Sequence, residues 1–105
     1  MTQVSTHVLD TAGGRPAAGV PVSLQGGAED GSWTEIGTAI TDEDGRADGL
    51  AGESGVGPGV YLLIFDTDSA FFEQVVVTFT VTDADERLHI PLLLSPYGYT
   101  VYRGS

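Results

Sequence analysis

Polar and apolar positions alternate every second residue along much of this chain. Val4, Thr6 and Val8 alternate with Ser5, His7 and Leu9, and Val75, Val77, Phe79 and Val81 alternate with Val76, Thr78, Thr80 and Thr82. A period of two belongs to a strand, where successive side chains leave opposite faces of a sheet. The β-branched residues that dominate these stretches favour the same half-buried pleated setting. Val20–Leu24, Trp33–Thr41, Val60–Asp66 and Leu88–Leu94 predict further strands, with a short one at Ala47–Leu50 and a last one at Tyr99–Arg103.

Turn signals separate these stretches: Gly13-Gly14, Gly26-Gly27, Glu43-Asp44-Gly45 and the glycine loop Gly55–Gly59. No stretch carries the 3.6-residue period of a long amphipathic helix, and at most one helical turn fits around Asp68–Phe72. Seven or eight short strands at this spacing predict an all-β fold, an antiparallel β-sandwich. The length of 105 residues allows one domain spanning 1–105 with a modest core.

Composition narrows the partners. Fifteen carboxylates face four arginines and no lysine, a net charge of −11. Such a surface repels phosphate backbones and anionic lipid, which argues against nucleic acid and membranes as partners. The chain has no cysteine, so neither a disulfide framework nor a thiolate metal site is available. Its first residues contain no basic segment leading into an apolar one, so the expectation is a cytoplasmic protein without a secretory leader.

Candidate chemistry is sparse. Gly55–Gly59 precedes a strand and lacks phosphate-loop spacing, so it predicts a turn. Asp42, Asp44 and Gly45 resemble part of a calcium loop, but Ile40 and Ala51 stand where the first and last ligands belong. His7 and His89, the two histidines, each lie in a predicted strand. If those strands are neighbours, two imidazoles converge that can activate water or move a proton. Arg46 follows a tight turn, a place where a rigid scaffold presents side chains to ligands.

The last residues connect these positions. Leu88-His-Ile-Pro-Leu-Leu-Leu-Ser-Pro-Tyr-Gly-Tyr-Thr-Val-Tyr-Arg-Gly-Ser105 resembles the C-terminal signature of the transthyretin-related 5-hydroxyisourate hydrolases. Ser5–Asp10 and Gly14–Val22 resemble the N-terminal signature of that family, and Thr41–Arg46 resembles its T-x-x-D-G-R motif. The terminal Tyr102-Arg103-Gly104-Ser105 is the most specific element, since vertebrate transthyretin lacks it. The resemblance implies a transthyretin-like sandwich with His7, Arg46 and His89 as catalytic residues. It implies Tyr102, Arg103, Gly104 and Ser105 as substrate-binding residues, with no metal and no cofactor. It also implies a homotetramer, a dimer of dimers, in which a neighbour's tail helps close each site.

The implied reaction is hydrolysis of 5-hydroxyisourate, a small-molecule substrate of purine breakdown, to 2-oxo-4-hydroxy-4-carboxy-5-ureidoimidazoline. The histidines would activate water and Arg46 would bind carbonyl oxygens or developing negative charge. The chain departs from the family pattern at Arg87 and Leu88, at Thr100-Val101, and in a shortened Thr67–Gln74 segment. That shortening is expected to alter local packing more than chemistry. Two rival readings remain: a transthyretin-like small-molecule carrier, which would have no need of the histidines, and a structural or adhesive β-sandwich module.

Overall fold

The computed structural model describes residues 1–105 and arranges them in nine strands. These are β1 (Gln3–Asp10), β2 (Arg15–Pro16), β3 (Pro21–Gly27), β4 (Trp33–Ile40), β5 (Arg46–Ala47), β6 (Gly59–Phe65), β7 (Val75–Val81), β8 (Arg87–Ser95) and β9 (Gly98–Val101). One sheet has the order β4-β3-β6-β7, with every pair antiparallel. The other has the order β2-β1-β8-β9, with β5 also paired to β1. The alternation read from the sequence fills the space between the sheets. Val4 and Val8 of β1, Leu88, Ile90 and Leu92 of β8, and Leu24, Leu63, Phe65, Val75 and Val81 of the opposite sheet form one buried cluster.

The central pair of the second sheet departs from the antiparallel expectation. β1 and β8 run parallel over eight residue pairs, from Gln3↔Arg87 to Asp10↔Leu94. Buried Thr6 is satisfied across this pair, its hydroxyl donating to the Ile90 carbonyl at 2.5 Å. A parallel pair needs a long crossover, and here the whole opposite sheet supplies it.

Three local expectations change. Gly26-Gly27 continues strand β3 where a turn was expected, because the absent side chains make room for neighbours. A Cβ on Gly26 would lie 3.0 Å from Ile36 Cδ1, and one on Gly27 would lie 3.0 Å from the Trp33 ring. The short fifth strand begins at Arg46, one residue earlier than expected, and spans two residues. Asp68–Phe72 forms no helical turn. Ser69 Oγ instead donates to the Phe72 carbonyl and accepts from the Phe72 N–H, and Asp68 has φ +47°. The shortened segment packs by its rings, with Phe72 edge-on to Tyr99 at 5.1 Å and Phe71 edge-on to Tyr97 at 5.8 Å.

Phe65 is fully buried in the cluster between the sheets. Phe65→Ala is expected to cost about 3–5 kcal/mol of stability, the range for truncating a large core aromatic. Urea unfolding of both proteins checks it.

Candidate active site

The site begins at the turn before β5. Asp42 Oδ1 accepts from the N–H groups of Asp44 and Arg46 at 2.9 and 3.0 Å, and the Gly45 N–H donates to the Asp42 carbonyl at 2.9 Å. These bonds explain the spacing of Asp42, Gly45 and Arg46: the carboxylate organises the backbone that delivers the arginine. Gly45 has φ +77°, and a Cβ there would lie 2.4 Å from the Val8 carbonyl oxygen. That same close approach lets the Val8 N–H donate to the Gly45 carbonyl at 2.7 Å. The turn is thereby fastened to β1, and Arg46 pairs directly with His7.

His7 is fixed by the same turn. Its Nε2 lies 2.8 Å from the Asp44 carbonyl oxygen. A carbonyl only accepts, so Nε2 carries the proton and neutral His7 keeps its lone pair on Nδ1. His89 enters from β8. The register sets Ser5 opposite His89 and His7 opposite Pro91, so all four lie on the outer face of the sheet, away from the core. Ser5 Oγ is 2.9 Å from His89 Nδ1. Burial lowers the proton affinity of His89 below the ordinary histidine range, and the charge of Arg46, with that of His7 whenever it is protonated, lowers it further.

The tail meets this face at one residue. The Gly104 N–H donates to the His89 carbonyl at 2.7 Å, and a Cβ on Gly104 would lie 2.8 Å from His89 Cδ2. Val101 faces Leu92 and Gly104 faces His89, so the same register sets Tyr102 level with Pro91 and Arg103 level with Ile90. Arg103, expected among the substrate-binding residues, is placed in the single chain by this register. Alternation turns it away from the histidine face, and its guanidinium pairs with Asp85 at 3.0 Å. Asp85 is held below the ordinary carboxylate range, first by the Thr82 backbone N–H and then by Arg103. Ser105 is exposed at the chain end, beside Gly104.

The structure thus brings together His7, Arg46 and His89, with Gly104 against the second ring. Ser5 joins them, a residue that lies within the N-terminal signature but was given no role there. Its signal was its place two residues before His7, on the same strand face. Beside this face a depression of about 410 Å³ borders Ser5, Gln3, Asp48 and Arg87, without reaching His7, Arg46 or His89. A larger one, about 630 Å³, lies on the other sheet around Ser23, Thr38 and Ile64, away from both histidines.

Residues 4–104 match the HIUase/Transthyretin family. The chain belongs to that family. A 5-hydroxyisourate hydrolase from Mus musculus is 44% identical over 111 residues, covering 97% of this chain and 94% of the mouse protein. The 5-hydroxyisourate hydrolase of Klebsiella pneumoniae has a TM-score of 0.84 at 30% identity, covering all of both chains (100% and 100%). Sea bream transthyretin in complex with thyroxine has a TM-score of 0.89 at 31% identity, covering 96% of this chain and 93% of that one. The sandwich is shared by a hydrolase and a transthyretin seen in complex with thyroxine, so function is to be read from the side chains of the site and not from the fold.

Two outcomes follow from the site's geometry. Gly45→Ala is expected to destabilise the protein by about 1–3 kcal/mol, the cost of a strained backbone position, read from urea unfolding. Folding also depresses the proton affinity of His89, so as the pH falls the unfolded chain takes up that proton first. This contribution to stability is whole above the ordinary histidine range. It is lost as the pH falls through the lower, folded value. Unfolding midpoints measured from neutral to mildly acidic pH should therefore drop more steeply for the wild type than for His89→Gln.

Proposed function

We propose that this protein hydrolyses 5-hydroxyisourate to 2-oxo-4-hydroxy-4-carboxy-5-ureidoimidazoline. The observation that carries the reading is the convergence of His7, Arg46 and His89 on one sheet face, in a chain 44% identical to a mouse 5-hydroxyisourate hydrolase. Carriage of a small ligand would not require His7 to be fixed in one tautomer beside a cation.

The chemistry follows from the geometry. His7 Nδ1 accepts a proton from water as the water oxygen bonds to the ring carbonyl carbon. The carbonyl π pair moves onto oxygen, where the planar donors of Arg46 face the developing charge. The His7 imidazolium then returns its proton to the ring nitrogen as the C–N bond breaks. The ring opens to a carboxylate, after ionisation, and the NH2 of a ureido group. His89 stands beside His7 with its Nδ1 occupied by Ser5 and its proton affinity depressed, which favours its neutral form.

The reading extends to assembly and place of action. In the single chain the histidine face is open, and β7 and β9 leave one edge of each sheet unpaired. Both edges border one cavity of about 220 Å³, lined by Val77, Phe79, Val101 and Tyr102 among others. Bare edges of this kind are managed by pairing. We propose a homotetramer, a dimer of dimers, in which copies cover these edges and a neighbour's Tyr102 and Ser105 approach the open histidine face, in the cytoplasm.

Generating 5-hydroxyisourate from urate in the cuvette and following its ultraviolet decay tests the reading. Wild-type protein should accelerate the decay, and His7→Ala and Arg46→Ala should each lower kcat/KM by about 100-fold or more, as expected for lost acid–base or oxyanion-stabilising groups. Decay no faster than the spontaneous reaction, from folded protein, would favour the carrier.

A further inference from the structure

Ser5 opens the N-terminal signature but is not among the catalytic or substrate-binding residues that the resemblance implies, yet it makes the one side-chain contact to the His89 ring nitrogens. The parallel register places it directly opposite His89, and its hydroxyl is 2.9 Å from Nδ1. We infer that Ser5 is a positioning residue that donates to His89 Nδ1, holds the imidazole proton on Nε2, and so makes His89 a neutral hydrogen-bond donor to the reacting carbonyl oxygen. The kinetic part of this inference rests on the hydrolase reading, whereas the direction of the hydrogen bond does not.

The direction follows from counting donors. A serine hydroxyl has one proton, and Ser5 Oγ has one partner in the structure, the Nδ1 of His89. Donation to Nδ1 satisfies both groups. The reverse arrangement would put a proton on Nδ1 and leave the hydroxyl proton of a half-buried residue without a protein acceptor. The ring is also held in place from its other side. Gly104 lies against Cδ2 so closely that a Cβ there would come within 2.8 Å. Ser5 on one edge and the tail on the other leave Nε2 as the nitrogen free to meet a ligand.

The two rings then present opposite chemistry. The Asp44 carbonyl holds the His7 proton on Nε2 and leaves a lone pair on Nδ1. Ser5 holds the His89 proton on Nε2 and leaves no free lone pair on that ring. Hydrolysis needs one group of each kind: a base that accepts and returns the water proton, and a donor that stays protonated while negative charge builds on oxygen. The lowered proton affinity of His89 suits the second role, because a cationic ring would bind its ligand before the charge develops. His89 keeps its proton throughout, so the proton balance closes on His7 alone.

The experiment is side-chain nitrogen NMR on protein labelled with 15N-histidine, for wild type, Ser5→Ala and Ser5→Thr, with 5-hydroxyisourate turnover measured on the same samples. In wild type, His89 should show a protonated Nε2 and a bare Nδ1. In Ser5→Ala the two nitrogens should move toward the averaged shifts of a mixture of tautomers, and in Ser5→Thr, which restores the hydroxyl, they should return. The His7 signals should hold in all three, which separates a local change from partial unfolding. In turnover, Ser5→Ala should lower kcat on the order of tenfold, the size of one lost hydrogen bond, with KM little changed. Ser5→Thr should recover most of it.

A wild-type His89 protonated on Nδ1 would overturn the inference, as would Ser5→Ala signals identical to wild type. If the shifts depend on Ser5 but wild-type protein does not hasten substrate decay, the hydrolase reading falls and the hydrogen-bond assignment stands.

Discussion

The parallel pairing of β1 with β8 is the constraint on which the site depends. It joins residues from opposite ends of the chain, with Ser5 and His89 separated by 84 positions. Its register decides which side chains share a face. A slip of one residue in β1 would bury His7 and expose Val4 and Val8, and the same slip in β8 would bury His89 and expose Leu92. The core therefore enforces the chemistry: the Val, Ile and Leu contacts that stabilise the sandwich admit one register, and that register sets Ser5 against His89. The arrangement has a kinetic cost, because such non-local pairing closes a long loop before it gains its contacts.

Around this pair, main-chain atoms do work that carboxylates do in many other sites. The Asp44 carbonyl orients His7, and the Gly104 N–H holds the backbone of His89. Asp42, the nearest acidic organiser, has one carboxylate oxygen occupied by the N–H groups of Asp44 and Arg46. An ionised carboxylate bonded to either ring would raise its proton affinity and favour the cation. Main-chain partners fix position and tautomer without adding that charge, so His89 remains neutral beside Arg46.

Much of the fold was legible because period two is a direct imprint of a sheet with one buried face. The β1, β7 and β8 patterns translate into position with little loss: Val4, Val8, Val75, Val81, Leu88 and Ile90 all point inward. What escaped was set by partners distant in sequence. Gly26 and Gly27 look like a turn until Ile36 and Trp33 are seen to occupy their missing side chains. The parallel sense of β1 and β8 leaves no local trace, since both directions give the same alternation. In the site, His7, Arg46 and His89 were accessible through motifs. The placement of Tyr102 and Arg103 required the tail's register, and Ser5 carried no chemical signal of its own, being an ordinary strand serine until a ring nitrogen is placed beside it.

The sole ion pair in the molecule is that of Arg103 with Asp85, so Arg46 and Arg87 keep their charge uncompensated by any carboxylate within 4.0 Å. Both flank the histidines on a body whose net charge is −11. The surroundings repel anions, and the two arginines form a small cationic island among them. Opening a cyclic amide replaces a neutral group with a carboxylate, so the molecule that leaves is more negative than the one that entered. Once it moves beyond the arginines, the field of the rest of the surface drives it outward. The acidity that resembles a mere aid to solubility thereby becomes an outward force on product, weakened by added salt as the Debye length shortens.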